Sequence, residues 1–187
     1  MQAHTQHYSM LAKIIHLGLA GFGIAAYLTA ELAEGGYDSF GYLLHSYLGL
    51  SLAAVMLLRL GAGVGSSSTL GFRNWLLFTR AQWRMVAEDL RGIVTLKLSD
   101  RGPHEGIAGL VQAVGLLIFA WMAFTGSGIY LLSGGTETTL FEVVEEAHEV
   151  GEGLIPLYLA LHVAAVILHT LVRKPVWQHM FKFGRAD

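Results

Sequence analysis

Four uncharged, apolar stretches, at 14–30, 40–58, 107–132 and 153–172, contain no Asp, Glu, Lys or Arg. With a rise of about 1.5 Å per residue, each can cross a hydrocarbon core about 30 Å thick as an α-helix. Lipid offers the backbone no hydrogen-bond partners, so such stretches must satisfy their own N–H and C=O groups, and they do so as helices packed together. Composition points the same way: 53% hydrophobic and 14% charged residues in 187 is too apolar for an ordinary soluble domain. The expected fold is all-α, an integral membrane four-helix bundle forming a single domain over 1–187. The first apolar run holds His16 and lacks a small-residue cleavage pattern at its far end, so it is read as a retained helix rather than a signal peptide.

Charge predicts the orientation. All twelve Lys and Arg residues fall on one side of the spans: Lys13, the seven from Arg59 to Arg101, and Arg173, Lys174, Lys182 and Arg185. By the positive-inside rule both termini are expected in the cytoplasm of a bacterial inner-membrane protein. The opposite loops carry only acids, among them Glu31, Glu34, Asp38, Glu137, Glu142, Glu145, Glu146, Glu149 and Glu152. That acidic rim follows from topology before it needs reading as a docking surface. The loop at 61–106 is too long for a simple connection. Within it Leu76, Trp83, Val86 and Leu90 recur at helical spacing, with Arg80, Arg84, Glu88 and Arg91 on another face. These predict an additional cytoplasmic, interfacial amphipathic helix touching anionic headgroups, with a hinge at 61–68 and an exit turn at Gly102 and Pro103. Lipid is thus an expected partner, and nucleic acid is not.

The polar residues that stand out in the spans are histidines and Gln112, and ionisable groups at membrane depth are functional candidates because burying them is costly. Cysteine is absent, which excludes c-type haem attachment, thiolate-held clusters, zinc ribbons and disulfides. His148 and His162 lie fourteen residues apart, nearly four helical turns, so they share a face and stand about 21 Å apart along the axis. With alternating helix directions, depth pairs His45 with His148 and His16 with His162. Two imidazoles on one haem iron leave no open position for oxygen, and such a centre passes electrons. A lone membrane histidine is better explained by a hydrogen bond to a neighbouring helix, but two depth-matched pairs are not. His169, seven residues beyond His162, competes with it as the partner of His16, and depth counting across Pro156 does not choose between them. Arg59 reads equally as a propionate partner or a charge anchor. His104 reads as a surface residue or a contact for a quinone headgroup or propionate. His4, His7 and His179 read as solvated surface. Gly49, one turn beyond His45, together with Gly18, Gly21 and Gly23 after His16, permits close approach of a flat ring or of another helix.

These segments are Ile14-Ile15-His16, Leu44-His45-Ser46-Tyr47-Leu48-Gly49 running on to Arg59-Leu60, and Ala147-His148-Glu149 through Leu161-His162-Val163-Ala164-Ala165 to His169. In this order the chain resembles the prokaryotic cytochrome b561 family and the related b-type cytochrome subunits of nickel-iron hydrogenases and formate dehydrogenases. The resemblance runs from Met10 to Arg185. It departs from the family pattern at Leu17, where a tryptophan often follows the first histidine, at Thr29-Ala30 and at Gly102-Pro103-His104-Glu105. It implies two haem b groups, with axial iron ligands His16 and His162 for the inner one and His45 and His148 for the outer one. It favours His162 over His169, leaving His169 a secondary place near a propionate or quinone.

The function this implies is a dihaem cytochrome carrying electrons across the cytoplasmic membrane between a quinone pool and an outer-face redox partner. Variants are the membrane anchor of a hydrogenase or dehydrogenase, whose catalytic subunit would be the partner, and a quinone-reducing oxidoreductase resembling the family's superoxide-oxidising members. Rival readings are a histidine-lined zinc or copper transporter and a helical scaffold. Zinc favours several ligands converging at one depth, often with carboxylates, whereas these histidines divide between two depths and no acid lies within a span.

Overall fold

A computed structural model describes residues 8–65, 70–72, 79–95, 105–134, 138–171 and 177–181. Its helices are α1 (Met10–Leu28), α2 (Phe40–Gly65), α3 (Arg80–Val94), α4 (Gly106–Leu132), α5 (Thr139–Leu171) and the short α6 (Gln178–Phe181), with a 3₁₀ turn at Ala30–Gly35. Four of them, α1, α2, α4 and α5, are long and apolar enough to cross a membrane. The described residues contain no strand, and the all-α expectation holds.

Two boundaries differ from the sequence reading. The expected hinge is helical through Gly65, since α2 continues over Gly61–Gly65, and residues 66–68 lie outside the described chain. Gly63 has a packing reason: a Cβ there would run into the Phe72 ring. At the other end, α5 begins at Thr139, well before the apolar run. Its 33 residues make a helix about 50 Å long, more than a hydrocarbon core needs. Leu76, His104, Gly102, Pro103 and Glu137 lie outside the described residues, as do His4 and His7 and the side chain of His179.

The contacts divide the chain into two units, one of Ile14–Leu60 with Leu116–Leu159 and one of Met1–Lys13, Gly61–Gly115 and Ala160–Asp187. In the first, Leu52 and Met56 of α2, Phe119 and Ala123 of α4 and Ile155 of α5 form the buried core. Gly23 of α1 lets the Phe119 ring in, because a Cβ there would overlap it. The opposite faces are apolar and exposed: Leu117, Phe124 and Leu131 on α4 and Leu154 and Leu157 on α5 recur at helical spacing. In a membrane that face belongs to lipid. Arg59 lies in this unit and is only 3% exposed, so it is not a charge displayed at a surface.

In the second unit, α3 is the expected amphipathic helix. Thr79 and Gln82 form a capping box at its start, satisfying orphan N–H groups of the first turn. Arg84 and Glu88 pair across one turn at 3.6 Å. Val86 is buried while Trp83 and Leu90 are about half exposed, so only part of the apolar face meets protein. Asp89 is buried, and its Oδ2 accepts the backbone N–H of Ile107 in the first turn of α4 at 3.0 Å. This ties α3 to the start of a spanning helix and also satisfies an N–H that the helix itself cannot.

Candidate haem site

Helix α1 ends at Leu28, and the carbonyl of Ala26 in its last turn takes the Thr29 N–H at 3.1 Å with a lone pair to spare. It accepts a bond from the Nδ1 of His45 on α2 at 3.0 Å. A carbonyl can only accept, so His45 carries its proton on Nδ1 and leaves the Nε2 lone pair free. Opposite stands His148 of α5. Its Nδ1 lies 2.8 Å from Thr125 Oγ1 of α4, and the Thr125 hydroxyl is itself 2.8 Å from the Trp121 carbonyl. With its proton on that carbonyl, the hydroxyl oxygen is placed to accept an Nδ1–H from His148, the tautomer that a metal bound at Nε2 would require. Each Nδ1 thus has an oxygen acceptor in place, the setting in which a histidine ligates through Nε2.

The rings face each other with centroids 6.3 Å apart and planes at 89°. Glu152, one turn beyond His148, places a carboxylate oxygen 3.8 Å from His148 Nε2. One ligand atom from each of His45, His148 and Glu152 lies within 4.8 Å of the other two. Pro156 has no N–H to offer the Glu152 carbonyl, so the α5 ladder lacks a bond immediately beside the site.

Glycines shape the space. A Cβ at Gly126 would come within 3.0 Å of His148 Cε1, and one at Gly151 would overlap Met122 and crowd Trp121. Trp121 in turn donates Nε1–H to the carbonyl of Ala147 at 2.7 Å. Helix packing thus accounts for both, and for Gly18, whose Cβ would press on Val55. Gly49 is different: it lies one turn from His45, is partly buried, and a Cβ there would meet no heavy atom within 4 Å.

A sequence model of prokaryotic cytochrome b561 matches residues 7–183. The chain belongs to this family. Neither a curated protein nor a solved structure shows significant similarity to it. The cytochrome is accordingly a bacterial inner-membrane, b-type haem electron-transfer protein.

The His45 and His148 geometry suits that cofactor. Two metal–imidazole bonds of about 2 Å, plus roughly 1 Å from each nitrogen to its ring centre, add up to about 6 Å, close to the observed separation. An oxygen stands within hydrogen-bond distance of each Nδ1, which is the arrangement that orients a histidine ligand. Gly49 leaves room beside His45 for a flat ring. Of the other expected ligands, His16 lies partly buried on α1 in the same unit, and His162 and His169, also partly buried, lie on the part of α5 that belongs to the second unit.

Sequence reasoning missed Thr125, Trp121, Gly126 and the Ala26 carbonyl, and it left Glu152 among the rim acids. Thr125 was readable only as a hydroxyl in an apolar run, where its own helix commonly satisfies it. Glu152 precedes the fourth apolar stretch by one residue, so composition alone assigned it to a loop. The helix carries it into contact with His148, so the argument that no carboxylate accompanies these histidines does not hold at this end.

Proposed function

We propose that this cytochrome carries electrons across the cytoplasmic membrane between a quinone pool and a redox partner at the acidic face, using two haem b groups. His45 and His148 hold the haem at the acidic end, and His16 with His162 holds the other. The pair of imidazoles 6.3 Å apart, each with an oxygen acceptor at Nδ1, carries this reading. Bound between them, a haem iron supplies one-electron exchange with no open coordination position. The protein's part is to orient both rings, keep water out with the apolar core and tune the field with Glu152. The exposed apolar side chains of Phe40, Leu43 and Tyr47 on α2 offer a lipid-soluble quinone a surface to approach from the bilayer. His169, Arg59 and His104 are secondary candidates for propionate or quinone contacts. Both termini lie in the cytoplasm on this reading. The outer-face partner is a soluble redox protein or, in a complex, the catalytic subunit of a hydrogenase or dehydrogenase.

The test uses the protein in lipid nanodiscs with a short-chain quinol. Reduction of both haems by quinol is expected, followed through their visible α-bands. His162→Ala should lose one haem's bands while His169→Ala keeps both. Loss in His169→Ala with retention in His162→Ala would reverse the inner assignment, and quinol that reduces neither haem would remove the quinone from the function. The convergence of His45, His148 and Glu152 favours one second reading, a divalent cation site. Elemental analysis finding stoichiometric zinc and no porphyrin would support it.

A further inference from the structure

Thr125 spans two helices in a way that its own helix does not require. A threonine hydroxyl in a helix commonly donates to a carbonyl one turn back, and Thr125 does so to Trp121. That bond alone would leave an acceptor site on the oxygen, and His148 Nδ1 lies 2.8 Å from it, in a residue only 5% exposed. A hydroxyl that donates to Trp121 has a more electron-rich oxygen, so an Nδ1–H from a ligating His148 and the bond to Trp121 would strengthen each other. The neighbouring Gly126 is what lets the His148 ring come this close, since a Cβ there would stand 3.0 Å from Cε1. One turn away, Trp121 holds the backbone of α5 at Ala147, the residue before the ligand.

We infer that Thr125 is a positioning residue that fixes the tautomer and ring plane of His148 and thereby sets the reduction potential of the haem held by His45 and His148. The inference rests on the reading that these two histidines are iron ligands. An acceptor on Nδ1–H makes the imidazole a stronger donor, stabilises the ferric state and lowers the potential. The ring plane matters separately. With the two rings at 89°, the metal orbitals that each ring would split remain nearly equal in energy, which predicts a strongly anisotropic low-spin ferric signal at low field. His45 is held by a backbone carbonyl that no side-chain substitution removes, so Thr125 is the adjustable member of the pair.

The experiment is a potentiometric titration with electron paramagnetic resonance on the purified, haem-loaded protein. Thr125→Val is expected to raise one midpoint potential only, to alter that haem's low-field signal, and to weaken its retention roughly 10- to 100-fold. Thr125→Ser should restore all three. Thr125→Asn, which offers a carbonyl oxygen to the same Nδ1–H, should hold or lower the potential, and it keeps the inference testable if Thr125→Val loads no haem. Asp89→Ala is the structural control: it removes the acceptor of the Ile107 N–H, far along the chain from the histidine pair, and should lower thermal stability without moving the potential. Unchanged potential and signal in Thr125→Val, or an equal upward shift in Thr125→Asn, would overturn the inference while leaving the ligands standing. Retention of every haem in His148→Ala would instead overturn the ligand reading beneath it.

Discussion

A histidine that binds iron through one nitrogen is oriented by what the other nitrogen meets, and the two residues that supply that contact here are unremarkable in the sequence. Ala26 contributes a carbonyl because α1 stops two residues later, and Thr125 contributes an oxygen because Gly126 beside it lets His148 near. His45 and His148 themselves were legible from depth and spacing. Their partners were not, because a backbone carbonyl has no residue type and a hydroxyl in an apolar helix usually donates to a carbonyl of that same helix. Two predictions belong to this scale. Gly49→Leu should fill the space beside His45 and cost one haem per chain by pyridine haemochromogen assay, with helical content by circular dichroism unchanged. Glu152→Gln removes a negative charge next to His148 Nε2, so the ferric state loses stabilisation and one midpoint potential should rise in a redox titration.

At the level of elements, four spans and an amphipathic helix follow from apolar runs and their periodicity, and the structure has them. Ends were harder to read. Helix α2 runs on through a glycine-rich stretch that composition marks as a hinge, because Gly63 is there to accommodate Phe72 rather than to bend the chain. Helix α5 starts at Thr139 among acidic residues, since a helix need not stop where lipid does. The tie from Asp89 to Ile107 was invisible for a plainer reason: it joins positions 18 residues apart that no periodic pattern connects. Asp89→Ala should leave the first turn of α4 without that acceptor and cost about 1 kcal/mol, read as a lower thermal midpoint in detergent, while both haems stay bound. Asp89→Asn, which keeps an oxygen at the same place, should recover most of the loss.

Across the whole molecule, the asymmetry of charge is the property most directly written in the chain. The histidine pair shares its unit with Glu31, Glu34, Asp38, Glu142, Glu145, Glu146 and Glu149, all exposed. A field of that sign raises the local concentration of cations and lowers that of anions, an effect that salt screens over about 10 Å at 0.1 M. A cationic electron-transfer reagent should therefore exchange with the haem at this end faster than an anionic one of similar driving force in stopped-flow experiments. The gap should close as ionic strength rises, and a rate ratio indifferent to salt would show that the acidic rim steers nothing. The same sign disfavours a small anion as the partner here and favours a basic protein surface.

The central claim, that paired histidines hold a porphyrin at each of two levels, is tested most directly by counting haem per polypeptide in the purified, fully loaded protein. Two haem b per chain is the predicted result, falling to one in His45→Ala and in His148→Ala alike. A saturated wild-type preparation with one haem or none would contradict the account.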